Sequence, residues 1–192
     1  MRIAVIGAGG VGGYFGGKLA VAGHEVTLLA RGRHLRAIQE NGLLVKSIHG
    51  DFKAEVLATD QWAEIPPVDL VLVAVKAWQV QEVREHLKSI LHESTVVLPL
   101  QNGVVAAKEL SEVLGEGPVL GGLCRIISKI EAPGVINHFG ATPSIILGER
   151  QGGTSHRSEN IAQSLNEAGI QAIDSPDIRV DLWKKFIFIC VG

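Results

Sequence analysis

The chain has 192 residues, of which 46% are hydrophobic and 5% aromatic, and 18 basic against 20 acidic residues give a formal net charge of −2 at pH 7. This composition is typical of a soluble α/β protein and excludes a disordered or fibrous chain, and the balanced charge excludes a global attraction to nucleic acid or to an anionic membrane. No apolar run approaches the roughly 20 residues of a membrane span, and Cys124 and Cys190 lie far apart in apolar stretches, so we expect a cytoplasmic protein with both thiols reduced in its core.

The first sixty residues predict a strand-helix-strand unit followed by a hairpin. The apolar run 2–6 predicts a buried strand, residues 10–22 a helix that ends at Gly23, and residues 25–30 a second strand. A further helix is predicted over 33–41. Two strands over 43–48 and 52–57 are predicted to pair as a hairpin.

The alternation of strands and helices continues to residue 174. The apolar run 68–76 is typical of a strand buried on both faces of a parallel sheet, and helices over 78–91 and 103–114 flank a strand over 95–99. Strands over 118–128, 134–139 and 143–148, a helix to about 168 and a strand over 169–173 follow. We therefore predict a Rossmann-type, doubly wound α/β domain over residues 1–174, with a mainly parallel sheet whose later part is mixed.

Residues 175–192 are predicted to form one helix. Ser175 and Pro176 are typical of an N-cap and a first helical position, and apolar residues recur at helical spacing as far as Val191. A helix that stays apolar to its end normally packs against other helices. We expect this segment to be the first helix of an incomplete, truncated all-α domain, and we expect the isolated chain to form a homodimer through it.

Gly7, Gly9 and Gly12 form a G-x-G-x-x-G pattern between the first strand and the first helix, which is the context of a dinucleotide-binding loop. In such loops the first glycine permits a tight turn, the second lets the backbone approach the pyrophosphate, and the third lets the helix pack closely on the strand. We assign cofactor binding to Gly7, Ala8, Gly9, Gly10, Val11 and Gly12, and we interpret Gly10 and Gly13 as permissive additions. A turn needed only for packing is the alternative.

The end of the second strand distinguishes the two nicotinamide dinucleotides. Enzymes that use NAD usually place Asp or Glu there to accept a hydrogen bond from the ribose 2′-hydroxyl, whereas this chain has Ala30 and Arg31. A guanidinium forms bidentate, charge-assisted hydrogen bonds with a 2′-phosphate. Arg31, with Arg33 as a weaker second candidate, therefore predicts NADP(H), and a solvated loop arginine is the alternative.

Five segments in their order and spacing resemble one known family. They are residues 7–12, Ala30-Arg31-Gly32-Arg33, Val75-Lys76-Ala77-Trp78-Gln79, Leu100-Gln101-Asn102-Gly103-Val104 and Leu182-Trp183-Lys184-Lys185. Over essentially the whole chain they resemble the ketopantoate reductase (2-dehydropantoate 2-reductase) family. The resemblance implies NADPH-dependent reduction of 2-dehydropantoate to (R)-pantoate, a step toward pantothenate and coenzyme A.

The resemblance also implies which residues form the site. It makes Lys185 the general acid, places Lys76 and Asn102 beside the cofactor, and lets Asn102 and Lys185 contact the substrate. Hydride addition to a ketone leaves negative charge on oxygen, which a cationic proton donor neutralises, and partial desolvation would lower the pKa of such a lysine. From the residues alone, an ion pair of Lys185 with Asp181, a solvated strand end for Lys76 and a turn for Asn102 remain open.

The chain departs from the family pattern in two places. Ile189 stands where better-known members carry an asparagine that binds substrate, and the family's substrate-binding glutamate and serine are expected beyond residue 192. A lost amide contact changes selectivity, so an NADP-dependent reductase of another 2-keto acid is one alternative and a non-catalytic NADP(H)-sensing module is another. Trp78 is interpreted as a packing residue and Gln101 as presenting only backbone, and the seven scattered histidines show no metal-ligand spacing.

Overall fold

A computed structural model describes residues 1–191, and Gly192, the last residue of the predicted terminal helix, lies outside the described residues. In chain order the strands are β1 (Arg2–Ile6), β2 (Glu25–Leu29), β3 (Leu43–Ser47), β4 (Phe52–Ala54), β5 (Leu57–Thr59), β6 (Leu70–Val73), β7 (Val96–Pro99), β8 (Gly121–Arg125), β9 (Ser128–Ala132), β10 (Val135–His138), β11 (Ser144–Gly148) and β12 (Gln171–Asp174). The helices are α1 (Gly10–Val21), α2 (Gly32–Asn41), α3 (Val80–Leu87), α4 (Ala106–Leu114), α5 (His156–Glu167) and α6 (Ile178–Val191).

The centre of the fold is a five-stranded parallel sheet in the order β5-β2-β1-β6-β7, which confirms the predicted Rossmann-type α/β architecture. The middle strand β1 pairs Ile6 with Leu29 of β2 and with Val73 of β6, so the three strands end at one edge. The predicted hairpin strand over 52–57 is divided. Its first part is β4, which pairs with β3, and the chain then crosses to the central sheet and forms β5 beside β2.

The remaining strands form two further sheets, where the sequence predicts a mixed continuation of one sheet. The second sheet has the order β4-β3-β10-β9 and the third the order β12-β11-β8. The predicted strand over 118–128 is divided between them, because β8 pairs with β11 whereas β9 pairs with β10. A parallel bridge between Val97 and Val119 joins the segment before β8 to the edge of the central sheet.

Helix α1 lies between the central sheet and the second sheet, so both of its sides are covered. A Cβ atom on Gly12 would collide with the central sheet. On the opposite side, a Cβ on Gly10 would lie 2.5 Å from the carbonyl oxygen of Ser128, and a Cβ on Gly13 would lie 2.7 Å from Cγ1 of Ile136. These two glycines let α1 approach the second sheet, so their interpretation as permissive additions is wrong.

The other helices cover the remaining sheet faces. Helices α3 and α4 pack on the face of the central sheet opposite α1, and α5 and α6 pack on the third sheet. The predicted helix over 78–91 is broken into α3 and two one-turn 3₁₀ segments, Ala77–Gln79 and Lys88–Ile90. Helix α4 begins later than predicted because Gly103 has a φ of +102°, which lies outside the helical region.

Helix α6 begins at Ile178, and Asp177 flanks its start where the sequence predicts Ser175. The carboxylate of Asp177 accepts a hydrogen bond from the backbone N–H of Arg179 at 3.2 Å, as an N-cap side chain does. The hydroxyl of Ser175 instead donates to Asp181 at 2.6 Å. The helix therefore starts two residues later than the Ser-Pro pair suggests, and the hydroxyl of Ser175 also accepts from the backbone N–H of Asp177 at 3.2 Å.

One side of α6 packs on the third sheet, and most of its other residues are exposed. Ile178 and Leu182 form the packed side, whereas Phe188 is 77% exposed. Cys190 is also exposed, so the prediction of two core thiols is wrong for Cys190 and confirmed for the buried Cys124. Within residues 1–191 no helix combines the length and apolarity needed to span a membrane.

Candidate active site

Two adjoining cavities open at the carboxyl ends of the central strands, the edge at which doubly wound sheets bind ligands. The first cavity, of about 270 Å³, lies between residues 7–9 and the ends of β2 and β6. The second cavity, of about 940 Å³, lies between the start of α1, the ends of β6, β7 and β8, and helix α6. Lys76 lines both cavities, so they meet at this residue.

The loop between β1 and α1 has the geometry of a phosphate cradle. Gly7 has a φ of +103°, and a Cβ there would lie 2.9 Å from the backbone nitrogen of Val75. The amides of Gly7 and Ala8 both donate to the carbonyl of Leu29, at 3.3 and 3.2 Å. The first amides of α1 have no acceptor within the helix, so they can donate to a phosphate. No atom lies within 4 Å of the Cβ position of Gly9, so this glycine faces open space.

The six predicted residues of this loop do not all line the cavities. Gly7, Ala8 and Gly9 line the first cavity, and Gly9, Gly10 and Val11 line the second. Gly12 lines neither, because it lies beneath the loop, where a Cβ would overlap the carbonyl oxygen of Gly7. The role of Gly12 is therefore the close packing of α1 on β1.

Arg31 follows β2 and lines the first cavity, whereas Arg33 lines neither cavity. Sequence reasoning missed a neighbour, His34, which also lines the first cavity. The Nε2 of His34 lies 2.9 Å from the carbonyl oxygen of Ala8, and its Nδ1 accepts from the N–H of Gly134 at 3.0 Å. The neutral tautomer with hydrogen on Nε2 satisfies both contacts, and burial lowers the pKa of His34. This side chain therefore fastens the glycine loop to the turn between β9 and β10.

Lys76 and Asn102 lie just beyond the carboxyl ends of neighbouring strands, β6 and β7, as predicted. Gln101 between them has a structural role that sequence reasoning missed. Its side-chain nitrogen donates to the carbonyl oxygens of Val73 and Val75 at 2.9 and 3.0 Å. The buried amide thus ties the two strand ends together and fixes the direction in which the chain continues to Asn102.

Lys185 of α6 enters the second cavity and joins three elements of the fold. Its Nζ donates to Oδ1 of Asn102 at 2.8 Å and to the carbonyl oxygen of Cys124, in β8, at 2.5 Å. The structure therefore brings together two predicted site residues that are 83 positions apart in the chain. The alternative ion pair with Asp181 is not formed, since Lys185 Nζ is directed at these two oxygens, and the carboxylate of Asp181 accepts from Ser175.

The surroundings of Lys185 favour release of its proton. Burial lowers its pKa, a negative charge on Cys124 would oppose the shift, and the positive charge of Arg125 adds to it. Burial also raises the pKa of the Cys124 thiol to about 11, so this thiol is neutral near pH 7. The two oxygens that accept from Lys185, Oδ1 of Asn102 and the carbonyl oxygen of Cys124, are neutral as well.

Two hydrophobic features complete the second cavity. Trp78 lines it and is 74% exposed, so its interpretation as a packing residue is wrong. Ile189 and Phe188 also line the cavity on the same helix as Lys185. An apolar wall thus stands where an asparagine is common in the family that the sequence resembles. Among residues 1–191, no group of three or more His, Cys, Asp or Glu side chains is arranged to hold a metal ion.

Comparisons with known proteins place the chain in one family. The family described as "Ketopantoate reductase PanE/ApbA" matches residues 3–152. The 2-dehydropantoate 2-reductase of Nostoc sp. PCC 7120 is 34% identical over 97% of this chain and 60% of that protein. The crystal structure of 2-dehydropantoate 2-reductase from Porphyromonas gingivalis W83 superposes with a TM-score of 0.93 and 32% identity, over 100% of this chain and 69% of that one.

A second structural neighbour carries a different name. The ternary structure of D-mandelate dehydrogenase with NADH and anilino(oxo)acetate has a TM-score of 0.87 and 27% identity, over 96% of this chain and 60% of that one. The chain spans between 60% and 63% of the length of the first three curated relatives that it matches.

Proposed function

Because the chain belongs to the ketopantoate reductase family, we propose that it takes part in the NADPH-dependent reduction of a 2-keto acid, with 2-dehydropantoate as the first candidate substrate and (R)-pantoate as its product. The contact of Lys185 with Asn102 inside the second cavity carries this proposal. Residues 1–174 hold the cofactor, and helix α6 (Ile178–Val191) contributes the proton donor.

The shape of the first cavity supports a dinucleotide. The open space at Gly9 and the unpaired first amides of α1 suit a pyrophosphate. Since D-mandelate dehydrogenase binds NADH on a similar fold, the choice of NADPH rests on Arg31, which offers a guanidinium to a 2′-phosphate and has no carboxylate beside it in the chain.

The second cavity supports the chemistry of ketone reduction. NADPH, when bound, supplies the hydride that adds to C2 of the keto acid, and the electron pair of the carbonyl bond moves to oxygen. An ammonium group has three donors, and two of those of Lys185 are directed at Asn102 and Cys124. The third is available to the substrate oxygen, and the lowered pKa of Lys185 favours transfer of that proton. The products are the 2-hydroxy acid, NADP⁺ and a neutral lysine.

A single substitution in the full protein tests this role. Lys185→Met should lower kcat for 2-keto acids by about 100-fold or more, because general-acid catalysis contributes about that much, while the Kd for NADPH stays within about twofold. Oxidation of NADPH with 2-dehydropantoate gives the rate, and cofactor fluorescence gives the Kd. Lys108→Met, an exposed lysine of α4, is the matched control.

Two results would contradict the proposal. Unchanged turnover of the Lys185→Met variant would exclude this lysine as the acid. If the parent protein binds NADPH and reduces no 2-keto acid, the chain is an NADP(H)-sensing module.

A second candidate substrate class has an observation of its own. The apolar wall of Ile189 and Phe188 favours a 2-keto acid with an apolar substituent over the hydroxylated 2-dehydropantoate, and the D-mandelate dehydrogenase neighbour was solved with anilino(oxo)acetate.

The proposal also covers location and assembly. We place the enzyme in the cytoplasm, because Cys124 and Cys190 are both unpaired, as in proteins of a reducing compartment. A homodimer would cover the exposed apolar residues of α6, and light scattering would measure it.

A further inference from the structure

The side chains of the second cavity carry charge of one sign. Four cationic side chains, Lys76, Arg125, Lys184 and Lys185, line it, and no Asp or Glu does. Lys185 contacts two neutral oxygens. None of the ion pairs within residues 1–191 involves the side chain of Lys76, Arg125 or Lys184. Outside this cavity the arginines at 84, 150, 157 and 179 each contact a carboxylate, whereas those at 2, 31, 33 and 36 form no ion pair within the described residues. The cavity therefore lacks a counter-charge that an anionic ligand would provide.

Arg125 lines the same cavity as Lys185, the residue that would contact the keto oxygen. It follows Cys124 directly, and the carbonyl oxygen of Cys124 accepts from Lys185 Nζ at 2.5 Å. Antiparallel pairing with Ser144 of β11 fixes its backbone at the end of β8. In a 2-keto acid the carboxylate is bonded to the keto carbon, so it lies within about 3 Å of the oxygen that Lys185 would contact.

The other two cations are less well placed for this carboxylate. Lys76 lines both cavities and so lies along the cofactor as well as the substrate. Lys184 precedes Lys185 on one helix, and adjacent helical residues do not face each other. Arginine also presents two parallel N–H donors to a carboxylate, whereas a lysine presents a point charge.

We propose, on the basis of the reductase function above, that Arg125 is a specificity-determining residue that binds the substrate carboxylate while Lys185 binds the keto oxygen. The same placement explains why the charge of Arg125 contributes to the lowered pKa of Lys185. A bound carboxylate would offset this repulsion between the two cations.

A matched pair of substrates tests this assignment in the full protein. A 2-keto acid and its methyl ester share the ketone, and only the acid offers a carboxylate. Arg125→Met should lower the ratio of kcat/KM for acid over ester by about 10-fold to 100-fold, the range for a charge-assisted hydrogen-bonded pair. Arg125→Lys should lie between the parent and Arg125→Met. The KM for NADPH should not change in either variant, and Arg36→Met, an exposed arginine outside both cavities, should leave the ratio unchanged.

Three results would overturn the assignment. One is an acid-to-ester ratio that is unaffected by Arg125→Met. Another is a fall in the acid-to-ester ratio in Lys184→Met or in Lys76→Met while Arg125→Met keeps the ratio of the parent. The substrate carboxylate would then be assigned to that lysine. The third is a rise in the KM for NADPH without a change in the ratio, which would place Arg125 on the cofactor. Absence of turnover of both ketones by the parent protein contradicts the reductase function itself, and this assignment with it.

Discussion

Replacing Gly10 by alanine tests the position of α1 between two sheets. The new Cβ would lie 2.5 Å from the carbonyl oxygen of Ser128, 2.6 Å from its carbonyl carbon and 2.8 Å from the backbone nitrogen of Lys129, where ordinary contacts are 3.4–4 Å. All three atoms belong to the backbone of β9, so no side-chain rotation can relieve the collision. The helix start must move away from the second sheet by about 1 Å, the difference between the two distances.

The expected change in the free energy of unfolding of Gly10→Ala is the sum of two opposing effects. Overpacking of a close-packed interior costs about 1–3 kcal/mol, and a rigid backbone neighbour puts this site near the upper end. Alanine recovers up to about 1 kcal/mol through its higher helix propensity. We expect a net loss of about 2 kcal/mol in the free energy of unfolding, which for a protein of this length lowers Tm by about 4–8 °C.

Thermal unfolding of the cofactor-free protein measures this loss, and Gly9→Ala is the matched control. No atom lies within 4 Å of the Cβ position of Gly9, and its φ of −71° suits alanine. Gly9→Ala should therefore change the free energy of unfolding by less than about 1 kcal/mol, the scale of a helix N-cap. It should nevertheless weaken NADPH binding by about tenfold or more, because the methyl group occupies the space that we assign to the pyrophosphate.

The two variants together decide whether the packing of α1 has been understood. A Tm for Gly10→Ala equal to that of the parent would refute the close approach of α1 to β9. A Tm loss in Gly9→Ala as large as that in Gly10→Ala would show that both glycines serve packing, which would remove the steric evidence for a phosphate at Gly9.

Three further predictions concern cofactor choice, substrate choice and pH. Arg31→Met should lower the preference for NADPH over NADH, measured as kcat/KM, by about 10-fold to 100-fold because a charge-assisted contact with the 2′-phosphate is lost. Ile189→Asn should raise the preference for 2-dehydropantoate over 3,3-dimethyl-2-oxobutanoate, which lacks only the hydroxyl group, by about tenfold, or about 1.4 kcal/mol. The pKa of His34 is lowered in the folded state, so its stabilisation is fully present above about pH 6.5 and is lost as the pH falls toward the folded pKa. Denaturant unfolding between about pH 8 and 5 should show this loss, and His34→Gln should reduce it.

Each of these predictions has a control. Arg36→Met should keep the cofactor preference, and Ile187→Asn, on the exposed part of α6, should keep the substrate preference. An equal loss with NADPH and NADH in Arg31→Met would place this arginine away from the 2′-phosphate. An unchanged substrate ratio in Ile189→Asn would mean that residue 189 does not contact the substituent. Because burial also lowers the pKa of His24, some pH dependence should remain in His34→Gln, and an unaltered profile would show that His34 contributes nothing.

Local patterns in the sequence were sufficient to predict the parallel sheet. Its strands are continuous apolar runs between helices, and the loop between β1 and α1 carries the glycine pattern. They were not sufficient for the second sheet. Strand β3 pairs in parallel with β10, about ninety residues later, and short alternating strands do not specify their partner. Strand β5 has only three residues, so a break after residue 54 left no periodicity to detect.

Some residues of the candidate site could be predicted from the sequence, and others could not. Lys185 and Asn102 carry a family resemblance that could be read in the chain, and the structure places them in contact. His34 and Gln101 could not be found in this way, because their importance depends on partners, the carbonyl of Ala8 and those of Val73 and Val75, that only the folded backbone brings near. The packing of α1 on two sheets could not be predicted either, because the sequence did not show that the second sheet is separate from the central sheet.

The position of α1 also has a consequence for the order in which this protein folds. Its inner face can pack as soon as β1 and β2 are synthesised, but the face with Gly13 waits for β9 and β10, which end at residue 138. Until then the N-terminal part of this outer face is uncovered on a glycine-rich helix with weak intrinsic propensity, although β3 and β4 can already cover the same face at Gly17. We therefore expect the cofactor loop at its N-terminus to become rigid late in synthesis, and a nascent chain released before residue 138 to bind nucleotide poorly.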